Sequence, residues 1–448
     1  MAVSGVLQQE VTFMVQHGGR VGLDGIEVSF DDERAVANAG IAVVATLAQR
    51  LGVERVIEDS VDLGDRPGAG SEGAKAMSLI SAMVLGADCI DDCDVLRAGR
   101  TADLVGHRVL APSTLGTFLR AFTFGHVRQL DRALGQLLTR AWATGAGPGD
   151  GRLIVDLDSF VGEVFGTQKQ GAAFGYTRVR GLHPILATRA DTGEVLHIRL
   201  RTGSANTSRG TGRFLDELIA RIGRTPATGP KLLRADSGFW NKDTFVKLER
   251  AGWQFSIGVR QHPSIRTAIE AINEAAWITL PDYPKTSIAQ IAQTTLSSGR
   301  RLVIRRVRTL DRQGQLLPTW EHFAFITNRP EPLAIVEAEH RQHAQIELAI
   351  RDLKDQALAH FPSGRFYANS AWTVLAAIAH NLLRWTQLLG APNSTIRTAR
   401  TLRRRWLTLP GRLTCTARRW TLHLPARWPW RHAFCEALSR LRALPTPA

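Results

Sequence analysis

The run LIVDLD, residues 153–158, is short, almost wholly hydrophobic and ends in an aspartate. Its length and β-branched content predict a buried strand. KLLRAD, residues 231–236, has the same build and the same ending. Further out lies HRQHAQIELAIRDLK, His340 to Lys354. Read as one helix, it carries an apolar stripe through Ile346, Ile350, Leu353 and Ala357. A second stripe runs through His340, His343, Glu347, Arg351 and Lys354. A solvated face with charge pairs one turn apart would produce that second stripe equally well. Two strands delivering aspartates and one helix delivering a glutamate is, however, the residue set of a two-metal site.

Composition bounds the rest. A chain of 448 residues, 44% hydrophobic and 22% charged, is long enough for two or three domains with real cores. The net charge of +15 and the pI near 10.6 point to a polyanionic partner. From Arg397 to the C-terminus there are twelve arginines, no lysine and one acid, Glu436, so +11 of that charge lies there. The four cysteines, Cys89, Cys93, Cys415 and Cys435, make no disulfide framework and no paired zinc motif, and read as free thiols of a reducing cytoplasm. No signal peptide and no run of eighteen apolar residues is present, so a soluble cytoplasmic protein without a membrane partner is expected.

Taken in order, apolar helical patterns at 36–51 and 74–85 flank a Gly/Pro-rich break at 64–73. Pro112-Ser113-Thr114 reads as a helix start with Ser113 as N-cap. Short helices with Thr114, Thr117 and Arg120 exposed suit a helix-turn-helix-like DNA reader, and suit an ordinary helical bundle as well. TGAGPGDG at 144–151 reads as a linker. The expected layout is therefore a helical N-terminal DNA-binding or dimerisation region at 1–143 and a catalytic core at 152–262 and 330–390. A β-rich insertion occupies 263–329, and an Arg-rich C-terminal region 391–448. The core reads as three adjacent strands, a helix at 211–222, the strand ending at Asp236, a helix at 243–251 and a further strand. That is the α/β order of a ribonuclease-H-like core, a mixed sheet with flanking helices, which belongs with acids on its first and fourth strands and on a late helix. The insertion carries Trp277 and Trp320. The C-terminal arginines, with Trp406, Trp420, Trp428 and Trp430 among them, suit an amphipathic DNA-binding or dimer segment and also a poorly ordered basic arm, the reading slightly preferred. His183, His197 and His262 read as structural.

Five blocks carry a resemblance: DLDSFVGEVFGTQKQGAAFGYTRVRGLHPIL from Asp156, GSANTSRGTGRFLDEL from Gly203, RADSGFW from Arg234, the His340–Lys354 stretch, and PSGRFYANSAW…AHNLLRW from Pro362. Over roughly residues 35–390 the chain resembles the DDE transposases of bacterial insertion sequences, the cut-and-paste group whose ribonuclease-H-like core carries a β-rich insertion. The resemblance implies a catalytic, metal-binding triad of Asp158, Asp236 and Glu347. Asp158 is preferred to Asp156 because the family's first aspartate precedes a small residue, here Ser159; Phe160 stands where a threonine is usual. The family's helix signature of tyrosine, arginine, glutamate and lysine falls on His340, His343, Glu347 and Lys354. With Arg351 and Trp320, these flanking positions are the implied DNA contacts, the two histidines gripping phosphate when protonated.

The resemblance further implies two Mg²⁺ ions, for which Mn²⁺ can substitute. It implies double-stranded DNA partners, the inverted repeats and the target, and a homodimer in the synaptic complex of a nucleoid-associated protein. A flipped base held by the insertion, with Trp320 preferred to Trp277, would accompany a hairpin intermediate. The competing expectations are a catalytically inactive, sequence-specific DNA-binding protein derived from a transposase, and a nuclease without strand transfer. Asp156→Ala is expected to be much milder than Asp158→Ala.

Overall fold

Among the described residues, nine strands form one mixed sheet. The computed structural model describes residues 26–175, 177–206, 208–281, 283–284, 286–309 and 319–446. Residues 1–25 of the expected N-terminal region and 310–318 of the expected insertion lie outside these. The chain divides into two compact units, Met1–Glu33 and Arg34–Ala448. The described part of the first, 26–33, is exposed and contains no helix or strand.

At the middle of the sheet, β2 (Leu153–Ser159) pairs in parallel with β8 (Lys231–Ala235), and β8 in parallel with β9 (Gln254–Gly258). On the other side of β2, β6 (Ile185–Arg189) and β7 (Val195–Arg199) follow as an antiparallel hairpin around Asp191-Thr192-Gly193, with Gly193 at φ 70°. Beyond β9, β13 (Glu321–Thr327), β12 (Arg301–Thr309), β11 (Ser287–Thr295) and β10 (Ile278–Thr279) continue the same sheet, all antiparallel. The segment expected as an insertion thus extends the sheet edge through pairs such as Ile326 with Ile257. It opens on a helix, α9 (Pro263–Glu270). Two small sheets complete the strands: β3 (Gly162–Glu163), β4 (Ala173–Phe174) and β5 (Arg180–Leu182); and β1 (Ala35–Val36) with β14 (Gly411–Thr416) and β15 (Arg419–His423).

The helices are α1 (Ile41–Leu51), α2 (Val53–Ser60), α3 (Glu72–Leu85), α4 (Thr101–Val105), α5 (Pro112–Ala121) and α6 (Phe124–Ala141) before the sheet, then α7 (Thr211–Ile222) and α8 (Lys242–Arg250) within it. After it come α10 (Leu333–Arg341), α11 (Ile346–Lys354), α12 (Phe366–Gly390), α13 (Ala399–Leu402) and α14 (Arg431–Arg442). The 25-residue α12 is the hub: it packs on α1, α3, α5, α6, α14 and β7, with Trp372 and Trp385 fully buried. Its docking on the sheet edge is polar. Asn381 accepts from the Val195 amide at 2.7 Å and donates to the Val195 carbonyl at 2.8 Å, so a side chain satisfies β7 where a further strand would otherwise be needed.

Three local expectations are corrected. Ser113 lies inside α5; the cap position is Ala111, and Pro112 at the first helical position needs no amide partner. The 144–151 stretch does not begin as a free linker. Trp142 is buried with its indole N–H on Glu194, and Arg189 donates to the Ala146 carbonyl at 2.9 Å. The Arg-rich C-terminus is no arm. Leu402, Trp406, Leu407, Phe434 and Leu441 are buried in the main apolar cluster, and α14 packs on α1 and α12. Among the described residues, no helix is long and apolar enough to cross a membrane.

Candidate active site

Leu157 stands opposite Ala235 in the parallel pairing of β2 with β8. The next residue on each chain is therefore Asp158 and Asp236, side by side at the C-terminal ends of two central strands. Asp158 accepts from the Ser159 amide at 2.6 Å, and Asp236 caps a short turn by accepting from the Gly238 amide at 2.9 Å. Glu347, exposed, lies in the first turn of α11. Burial pushes the Asp158 carboxyl up to about 6 against the pull of the Ser159 amide and of His343, and the negative charges of Asp236 and Glu347 add to the rise. Asp236 and Glu347 are thus both near enough for their charge to reach Asp158. Asp236, Glu347 and His343 also line a cleft of about 380 Å³ between the sheet and α10–α11.

The stretch expected as one helix is broken. α10 ends at Arg341, Gln342–Gln345 form a 3₁₀ turn, and α11 begins at Ile346. The apolar stripe holds, with Ile346, Leu353 and Ala357 buried. The polar stripe divides. His340 turns into the fold, its ring stacked on Phe325 at 3.9 Å between centroids and its Nδ1 2.8 Å from the Ser256 hydroxyl. Burial, reinforced by His343, Arg234 and Arg305, pushes its pKa down to about 3. His340 lines the same cleft as Asp236 and Glu347, but its stacking on Phe325 and its lowered pKa disfavour the protonated phosphate grip expected of it. Arg351 is exposed, and Lys354 sits over the Phe160 ring at 5.7 Å.

His343 Nδ1 lies 3.0 Å from Asp156 Oδ1. Asp156, fully buried, receives Arg234 on both oxygens, and Arg234 also donates to the Glu339 and Gln342 carbonyls where α10 gives way to the 3₁₀ turn. Asp156 is thereby committed to holding the glutamate-bearing segment on the sheet. Sequence reading missed this pair, although the signal was present. An arginine between leucine and alanine in a buried strand needs a buried partner, and Arg234 precedes Asp236 by the same two residues that separate Asp156 from Asp158.

A sequence model described as "Transposase DDE domain group 1" matches residues 20–446, nearly the whole chain. The chain belongs to this DDE transposase family. No curated protein matches it significantly. Among solved structures, the transposase fold is similar to one described as the "Cryo-EM structure of piggyBac transposase synaptic complex with hairpin DNA", at 9% identity and a TM-score of 0.44, over 83% of this chain and 79% of that one.

Among the described residues of the transposase, two groups bring metal-ligating atoms within 4.8 Å of one another, Asp88–Cys89–Asp92 and Asp131–His197–Glu217. The first is a turn in which Asp92 caps the amides of Asp88 and Cys89. The second is an ion network. The His197 ring lies 3.2 Å from both acids, Arg221 reaches Asp131 at 2.7 Å, and Arg128 reaches Glu217 at 2.7 Å, with Arg199 on the same oxygen. His197 and these cations hold both carboxyls well below their usual range against the effect of burial. Carboxylates already matched by arginines make a structural joint between α6, β7 and α7. His183 is likewise structural, its Nδ1 2.7 Å from the Ala205 carbonyl and its Nε2 3.0 Å from the Ser159 hydroxyl beside Asp158.

In the strands beyond β9, Trp277 and Trp320 share a cation. The Arg306 guanidinium lies 4.1 Å from the Trp277 ring and 4.4 Å from Trp320, and Arg308 lies 4.2 Å from Trp320.

Proposed function

We propose that the protein is a DNA-cutting and joining transposase whose catalytic acids are Asp158, Asp236 and Glu347. It would bind the terminal inverted repeats of an insertion sequence and carry out strand cleavage and strand transfer. The observation that carries this reading is the side-by-side placement of Asp158 and Asp236 on paired parallel strands, with Glu347 close enough for its charge to raise the Asp158 pKa. The strand order β7-β6-β2-β8-β9, with the acids after its first and fourth strands in chain order and on a later helix, supports a ribonuclease-H-like core.

A carboxylate whose proton affinity is raised by burial and by two neighbouring carboxylates, those two lining a cleft, makes a set of hard oxygen donors with charge to spare, which fits Mg²⁺ or Mn²⁺. Such ions, when bound, activate the attacking oxygen and stabilise the leaving one. The chain's own contribution is to hold the donors. The Ser159 and Gly238 amides each orient one carboxylate oxygen, and the Asp156–Arg234 pair fixes the turn that leads into the Glu347 helix. Arg351 and Lys354, exposed on the same helix, are suited to phosphate contacts. Since a single site cuts one strand at a time, paired ends call for at least a homodimer on DNA. The test is Mg²⁺-dependent nicking of a duplex carrying the matched inverted repeats found beside the gene. A purified chain that binds this duplex and never nicks it would leave a DNA-binding protein without chemistry.

A further inference from the structure

The hairpin β14–β15 has two unlike faces. Leu413 and Leu422 stand opposite one another and pack with Val36, Ala39, Leu104 and Leu424. Alternation puts Arg412 opposite His423, Thr414 opposite Thr421, and Thr416 opposite Arg419 on the other face. All six are exposed or half-exposed. The Thr414 hydroxyl and the His423 ring engage each other at 2.9 Å. The donors this face presents are therefore chiefly the Arg419 guanidinium and the Thr416 and Thr421 hydroxyls, with Arg418 at the tip, and the hairpin contains no acid. From Arg397 onward the single acid, Glu436, is taken up by Arg440 at 2.9 Å. The two-residue tip is unusual. Ala417 and Arg418 have φ of 46° and 65°, left-handed values that such turns usually assign to asparagine and glycine. Strained backbone of this kind persists where the surroundings or a function require it, and here it sets a guanidinium at the tip of the ribbon.

We propose that this face is a docking surface for duplex DNA that grips the sugar–phosphate backbone without reading sequence. The proposal rests on the reading that the chain works on DNA. A two-stranded ribbon fits the major groove, and hydroxyl and guanidinium donors on its flanks are the groups that bind phosphate oxygens. No asparagine or glutamine on the face offers the paired donor and acceptor that adenine needs. The occupant is duplex rather than single-stranded because the exposed aromatic, Trp420, belongs to the opposite face with the Arg100 guanidinium 5.0 Å from its ring. The donor face thus carries no Phe, Tyr or Trp as a platform for unstacked bases.

The experiment is a filter-binding titration of the full chain across salt concentrations, without divalent metal, on an inverted-repeat duplex and on an unrelated one. R418Q/R419Q should lower the log–log salt slope by about 1.8, at roughly 0.9 per phosphate contact, equally on both duplexes. R418K/R419K should keep the wild-type slope. R55Q/R97Q, which removes the same charge from pairs with Asp59 and Asp94, should also keep it. An unchanged slope in R418Q/R419Q overturns the proposal. So does a loss confined to one duplex, or a lysine variant as weak as the glutamine one, since either would mean base reading. Failure of the transposase reading would show separately, as wild-type chain that binds DNA and does not cut it in Mg²⁺.

Discussion

Arg234 and Asp156 form a two-point pair, Nε on one carboxylate oxygen and Nη2 on the other, each at 2.7 Å, both side chains buried. Removing one partner strands a buried charge, which typically costs about 3–5 kcal/mol. Asp156→Ala is therefore not the mild control that the sequence suggested. Chemical denaturation should show Asp156→Ala and Arg234→Met each destabilised by roughly that amount, and D156L/R234M less destabilised than either. Singles that unfold like wild type would remove the pair from the architecture.

Asp158, Asp236 and Glu347 are each expected to be needed for cutting and dispensable for holding DNA, because affinity comes mostly from phosphate contacts elsewhere. Asp158→Ala, Asp236→Ala and Glu347→Ala should reduce Mg²⁺-dependent nicking below detection while binding of the end duplex changes little. EDTA should do the same to wild type. A variant that still nicks at the wild-type rate takes that acid out of the site.

Much of the fold follows from periodicities that need no partner. The helix Thr211–Ile222, the strand Lys231–Ala235 and the left-handed stop at Gly52 are all local signals. What escaped depends on distant surfaces. The stripe from His340 to Lys354 reads as one helical face, but Phe325 and Ser256, far away in sequence, draw His340 inward. The Asp156–Arg234 pair needs the β2–β8 register, which no single segment specifies. In the C-terminal region, Trp406, Leu407, Phe434 and Leu441 are scattered among arginines, so no window looks like a core. Their burial becomes visible only once α1 and α12 are in place.

That burial changes what a truncation would do. Deleting 397–448 removes not a loose arm but several side chains worth about 1.5–3 kcal/mol each when buried. It also removes the Ala399 amide, 3.0 Å from Asp352, and Arg403, 2.8 Å from Gln356, both anchored on the segment that follows Glu347. The 397–448 deletion should give insoluble or partly unfolded chain. A truncated protein with an unchanged melting temperature would restore the arm.

Two histidines, His380 buried and His340 half-buried, tie stability to pH. His340 and His380 are both pushed down to about 3, chiefly by burial, His380 with its Nε2 2.8 Å from the Gly193 carbonyl. Between about pH 6.5, where an unfolded histidine takes up its proton, and pH 3, the unfolded chain binds protons that the folded chain refuses. Their contribution is therefore full above pH 6.5 and is lost as pH falls through that window, at up to about 1.4 kcal/mol per pH unit for each histidine. Denaturation across pH 4–7 should show His340→Phe with a shallower acid limb than wild type. An equally steep limb, or an NMR titration of His340 near 6.5, would contradict the neutral ring.

Two indoles, Trp277 and Trp320, flank the Arg306 guanidinium. A flipped base needs an open ring face, and Trp320 has the Arg306 and Arg308 guanidiniums at 4.4 and 4.2 Å. Arg306 is tied elsewhere, to Gln290 at 2.7 Å and to Glu274, whereas the Nε of Arg308 is buried without a hydrogen-bond partner among the described residues. Arg308 is thus the cation free to yield its place on Trp320 to a base, and its own charge can then turn to phosphate. Stacking of one base is worth roughly 1–3 kcal/mol, about 5- to 150-fold in the step that uses it. With pre-nicked end DNA and Mg²⁺, Trp320→Ala should slow hairpin formation by a factor in that range while nicking intact ends normally, and Trp277→Ala should leave hairpin formation unchanged. The product is read as a hairpin band on a denaturing gel. Loss in Trp277→Ala alone would transfer the role to that indole, and wild-type rates in both variants would take base stacking away from this end of the sheet.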